Sequence, residues 1–125
     1  MQKTLDVEWV APPPPAPSIT AEVLNSNPHL TWGAVAGALE YRIYRRITDS
    51  NSFPPWEIWN TVSGTSYTDV STMVTSFFGY DNYPPFERAV SYQVRAVASG
   101  GVEGAESSYA TFLPEEGPLP YRMEL

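Results

Sequence analysis

His29 is the only histidine in the chain, and cysteine is absent. Nucleophilic or acid–base catalysis needs a positioned base beside an activated partner. A lone histidine after Pro28, in a turn ahead of Leu30, Thr31 and Trp32, offers neither. Without cysteine, no disulfide and no thiolate zinc site can form. The carboxylates are scattered. Asp69, Asp81 and Glu87 could give oxygen ligands to calcium, but no loop has the dense acidic spacing that such a site needs. Glu115 and Glu116 are neighbours and read as solubilising charge, not as an acid and base held across a substrate. The run SGGVEG (99–104) follows one strand and leads into another, so its glycines form a turn and not a phosphate cradle. Arg42, Arg45 and Arg46 crowd three cations together, yet on a strand Arg45 points away from the other two. The expectation is a chain that is not an enzyme and that takes no cofactor and no metal.

What remains is surface suited to contact. The stretch FFGYDNYPPF, Phe77 to Phe86, holds five rings and two prolines, and FPPW, Phe53 to Trp56, is a second proline-stiffened aromatic segment. Rings on stiffened backbone are what protein-binding surfaces favour, because they supply area at low entropic cost. The residues expected to meet a partner are Trp9, Phe53, Trp56, Phe77, Phe78, Tyr80, Tyr83 and Phe86. Contact with another protein ranks first, packing of the stretch back over the body second, and stacking on carbohydrate third. FPPW lies between two other strands, so the two aromatic segments need not share a rim.

Composition narrows the partners further. A chain of 125 residues is one domain's worth. Its net charge of −7 is poorly matched to a phosphate backbone or an anionic membrane surface, so neither nucleic acid nor membrane is expected. The start, MQKTLDVEWV, lacks the apolar centre of a signal peptide. With Met1 native, the chain is expected to be made in the cytoplasm; as a fragment of a larger exported protein it would be extracellular.

The elements that must position these residues are short strands. Leu5, Val7 and Trp9 alternate, and the following APPPPAP, Ala11 to Pro17, reads as a polyproline spacer holding the first residues away from the body. SITAEVL (18–24) and HLTWGAV (29–35) flank the turn signal NSNP. ALEYRIYRRI (38–47) alternates, with Leu39, Tyr41 and Ile43 on one face. WEIWNTV (56–62), a strand beginning near Ser66, AVSYQVRAVAS (89–99) and SYATF (108–112) complete seven, with SGGVEGAES read as a turn. No segment keeps a helical period over three turns. Seven short strands predict an all-β, seven-stranded antiparallel sandwich, with a closed barrel as the other solution.

The order and spacing of PAPSITAEV, LTW, EYRIYRR, TSYTD and YQVRAVASGGVEGAES resemble a fibronectin type III domain. The resemblance implies that Trp32, Tyr41 and Ile43 face the core. It divides the chain into an N-terminal arm (1–11), a fibronectin type III-like domain (12–113) and an extended C-terminal tail (114–125). Two departures stand out. Val90 occupies the position where the family keeps its corner tyrosine, so the hydroxyl-to-backbone bond of that corner is expected to be missing. The connection from Asp69 to Tyr92 is longer than the family needs, which makes FFGYDNYPPF an expected insertion in the loop before the sixth strand. By analogy of fold alone, the chain reads as a non-catalytic assembly protein, a bacteriophage capsid or tail component engaging protein subunits. The alternative is a spacer or carbohydrate-binding module of a secreted enzyme or surface adhesin.

Overall fold

A computed structural model describes residues 12–49, 52–85 and 87–115. Among them run nine strands: β1 (Ile19–Leu24), β2 (Asn27–Trp32), β3 (Glu40–Thr48), β4 (Glu57–Val62), β5 (Ser66–Thr68), β6 (Val74–Tyr80), β7 (Ala89–Ala98), β8 (Val102–Glu106) and β9 (Ala110–Pro114). They form two antiparallel sheets. The smaller has the order β1-β2-β5, and the larger β4-β3-β7-β9-β6 with β8 also paired to β7. Alternation explains the layers. Leu30 and Trp32 of β2 meet Tyr41 and Ile43 of β3, Val90, Tyr92, Val94 and Ala96 of β7, and Ala110 and Phe112 of β9 in one buried core. The expected sandwich is therefore present, with two strands more than the alternation revealed.

The two additional strands are β6 and β8, and both correct the sequence reading. Phe77–Tyr80 is not part of a loop insertion. It belongs to β6, which pairs with β9 along the edge of the larger sheet. Register shifts at Val74/Ser76 and Phe77/Gly79, the second at Gly79 with φ +153, break the period-2 pattern by which a strand is recognised. The glycine-rich turn is confined to Ser99–Gly101, and Val102–Glu106 returns as β8 along β7.

Smaller corrections follow the same logic. The β1–β2 hairpin turns on two residues, Asn25 and Ser26, with φ 53 and 67, the conformation that matches strand twist. His29 consequently sits within β2 and not in a turn, with Nδ1 2.6 Å from the Thr68 hydroxyl. Leu39 precedes β3 and is 66 % exposed, so it does not share the inward face of Tyr41 and Ile43. The described part of the proline spacer does not stand off the body: Pro14 and Pro17 are buried.

On the open side between the sheets, β6 is the bridge. Phe77 packs on the core ring Phe112 with centroids 5.4 Å apart, and the Tyr80 hydroxyl accepts the Ala21 N–H of β1 at 2.9 Å. The aromatic stretch thus seals the sandwich with its first half. Its second half, beyond Asp81, crosses to the outside of the larger sheet.

Candidate functional site

Alternation along β3 places Arg42, Tyr44 and Arg46 on the side opposite Tyr41 and Ile43. Arg42 lies 2.9 Å from Glu103 on β8, the Tyr44 hydroxyl donates to the same carboxylate, and Arg95 stands 3.6 Å from it. Burial opposes ionisation of Glu103, but hydrogen bonds from Tyr44 and Arg42 hold it below the usual carboxylate range. This end of the outer face is a closed ion network.

The other end is an arginine among rings. The register sets Arg46 opposite Ser91, and Ser91 opposite Thr111, a row crossing three strands. The Arg46 guanidinium carbon lies 4.4 Å from the Trp56 ring, 4.7 Å from Phe53 and 5.2 Å from Tyr83. Its Nε donates to the Tyr83 hydroxyl at 2.8 Å, a second nitrogen donates to the same oxygen, and the third reaches the Pro54 carbonyl at 3.4 Å. Tyr83 meets Phe53 edge-on at 4.9 Å and stacks on Tyr109 at 4.9 Å, and Trp56 leans on Tyr109 at 5.7 Å. Asp81, at φ 58, fastens the crossing segment: its N–H donates to the Tyr109 carbonyl at 2.8 Å, and its carboxylate accepts the Tyr109 N–H at 3.0 Å. Pro84, Ser91 and Thr111 are buried, and the two hydroxyls satisfy each other at 2.9 Å.

The chemistry of this cluster is cohesive. Burial first, and then the neighbouring Tyr83 hydroxyl, push the Tyr109 phenol up to about 12, so it stays neutral at physiological pH and serves as neither base nor nucleophile. The cation is enclosed by three rings of its own chain. Replacing it with a primary ammonium keeps the charge but loses the planar stack and the forked donors. Arg46→Lys is expected to lower stability by about 1 kcal/mol, and Arg46→Ala by about 2 kcal/mol, read as lower denaturant midpoints with an unchanged slope.

Of the residues expected to meet a partner, Phe53, Trp56 and Tyr83 gather around Arg46, so the two aromatic segments do share a rim. Phe77 turns to the core. Tyr80, 37 % exposed, is tied to β1 by its hydroxyl, and Phe78, 41 % exposed, faces outward from β6. Trp9 and Phe86 lie outside the described residues. Phe53, at 63 %, is the most exposed ring of the Arg46 cluster, and Ile58 and Trp59 on the edge strand β4 add exposed apolar surface at 57 % and 37 %. Arg45 stacks 3.5 Å from the Trp59 ring centroid. The sequence reading missed Arg46 as the hub and Tyr109 as a member, because their meeting depends on which strands are neighbours.

On the inner side, Asp69 is the counterpart of Arg46. It is 2 % exposed and accepts from the Tyr92 hydroxyl at 2.5 Å, Thr72 at 2.8 Å, Ser71 at 2.6 Å and Arg45 at 3.3 Å. The backbone N–H of Ser71 also donates to it at 3.1 Å, an Asx turn. Val90 is buried in the core, and Tyr92, two residues on, gives its hydroxyl to this side-chain carboxylate. Its phenol is held well above the ordinary value by burial and by the Asp69 carboxylate. Among the described residues, no group of three or more His, Asp or Glu is placed to hold a metal ion, and no helix is long and apolar enough to cross a membrane.

No protein-family model matches the chain. It is 31 % identical over 102 residues to a poly(3-hydroxybutyrate) depolymerase of Delftia acidovorans, an alignment covering 82 % of this chain and 17 % of that enzyme. The chain therefore spans about a sixth of that relative's length. Among solved structures it is similar to an Fn3-like protein from Clostridium thermocellum, with a TM-score of 0.51, 25 % identity, and coverage of 84 % of this chain and 95 % of that one. It is also similar to the FN5 domain of Drosophila Lar, with a TM-score of 0.53, 17 % identity, and coverage of 82 % and 99 %. At that identity the second likeness concerns the fold.

Proposed function

We propose, for a chain that folds as a fibronectin type III domain, that it is a non-catalytic spacer module of a larger polymer-degrading enzyme. One geometric observation carries the reading: the chain enters and leaves the body at opposite ends. β1 begins at Ile19 beside Trp32 and runs to the Asn25–Ser26 turn. The Val74 N–H donates to the Ser26 carbonyl, and the Glu115 N–H to the Met73 carbonyl, so the chain leaves at the far end of β1. The separation is about the length of a six-residue strand, roughly 20 Å. A rigid block so threaded holds whatever flanks it apart. Of the two readings raised by the sequence, the match to one segment of a depolymerase favours the enzyme module over a capsid or tail component. A module of an enzyme that works on polymer outside the cell would act there, which is the extracellular alternative. Exposed Phe53, Ile58, Trp59 and Phe78 are then surface for a neighbouring protein region.

The test exchanges segments in the Delftia depolymerase. Replacing its matching stretch with this chain is expected to preserve hydrolysis of solid poly(3-hydroxybutyrate), whereas deleting the stretch lowers it and spares a soluble ester. Hydrolysis by this chain alone, or a replacement as damaging as the deletion, would overturn the reading. Light scattering on the intact chain and on a version starting at Pro12 separates the assembly alternative, which requires association that is lost with the first eleven residues.

A further inference from the structure

Gly104 lies in β8 between Val102 and Glu106, where a glycine weakens a strand and marks the close approach of another backbone. The approaching backbone is the proline segment. A Cβ on Gly104 would stand 2.0 Å from the Pro14 carbonyl oxygen and 2.9 Å from Pro14 Cγ, closer than any non-bonded carbon can come. Glu103 belongs to the outer ion network, so alternation turns Gly104 inward, toward the gap between the sheets. Pro14 and Pro17 are both buried. Prolines are suited to this place because they cover a sheet without donating to it and because their φ is already fixed. β6 seals the lower part of the open side through Tyr80, and the proline segment covers the part along β8.

We infer that Gly104 is a seat that locks residues 12–18 onto the body as a strap, making the point where the chain comes in a rigid joint and not a hinge. Its use rests on the spacer reading, since a spacer that pivots at one end sets a distance but no direction. The seat itself is a property of the chain alone. Proline-rich backbone transmits direction over several residues, so a strap anchored at Pro14 fixes the angle at which preceding chain meets the sandwich.

The chain has no cysteine, so two introduced ones can carry spin labels uniquely. With labels at Pro12→Cys and Glu22→Cys in the full chain, the distance distribution is expected to be single and narrow. Adding Gly104→Val should broaden it roughly twofold or more while cooperative melting persists, since valine is otherwise favoured in a strand. Should valine prevent folding, Gly104→Ala brings the same clashing carbon and should broaden the distribution in the same way. A broad distribution in the parent, or a narrow one in a folded Gly104 variant, overturns the seat. That outcome leaves the spacer reading to the segment exchange, which does not depend on the joint.

Discussion

Asp69→Ala is expected to cost about 3 kcal/mol of folding stability, because truncating one partner of a buried, hydrogen-bonded charge leaves the others unpaired. For a domain of this size that is a fall in Tm on the order of 15 °C. The Tyr92 hydroxyl would be stranded in the core, and Arg45 would lose its carboxylate partner while keeping Thr72 and the face of Trp59. Asp69→Asn retains the acceptors but not the charge, and about half the loss is expected. Tyr92→Phe removes the buried donor together with its need for an acceptor, so its cost should be the smallest of the three, about 1 kcal/mol. The order alanine, asparagine, phenylalanine, read from urea midpoints, identifies the carboxylate as the centre. Equal losses for all three would make the cluster ordinary packing.

The same carboxylate carries a pH signature. Burial raises its pKa, but the hydrogen bonds from Ser71, Tyr92 and Thr72 outweigh that and bring it below the usual value. A carboxyl whose folded pKa is lowered contributes stability that is fully present above the unfolded value, near 4, and is lost as pH falls through the folded value. Stability should therefore drop below about pH 4, and in Asp69→Asn this part of the acid limb should disappear.

How far the sequence led depends on whether a residue's role is local. Alternation put Tyr41 and Ile43 on one face of their strand, and the family resemblance turned that face, with Trp32, to the core, where all three are buried. Asp69 is different. Its Asx turn is written in Asp69-Val70-Ser71-Thr72, but Tyr92 and Arg45 come from β7 and β3, and nothing in the spacing shows that they converge. Arg46 was legible as a cation on the outer face. Its three rings come from two loops separated by three strands in sequence, and only the pairing of β3 with β7 brings them together. β8 was hidden because Gly104 looks like a turn former until the strap that demands it is seen.

The aromatic stretch divides within itself, which makes a pair of substitutions decisive. Phe77→Ala is expected to cost about 2–3 kcal/mol: the ring is partly buried, packs on Phe112 and Tyr80, and its removal opens a cavity at the edge of the core. Phe78→Ser, one residue later on the same strand, points the other way and should change stability by less than about 0.5 kcal/mol. Two adjacent phenylalanines with such different costs are the signature of a strand. A flexible loop would give small losses at both, and a wholly folded-back lid would give large losses at both. The difference also assigns roles: Phe77 closes the sandwich, while Phe78 stays available as surface. Comparing melting of the two variants with their effect on hydrolysis in the exchanged depolymerase separates these roles. Loss of activity without loss of stability in Phe78→Ser would mark the outward face of β6 as the side against which a neighbouring region rests.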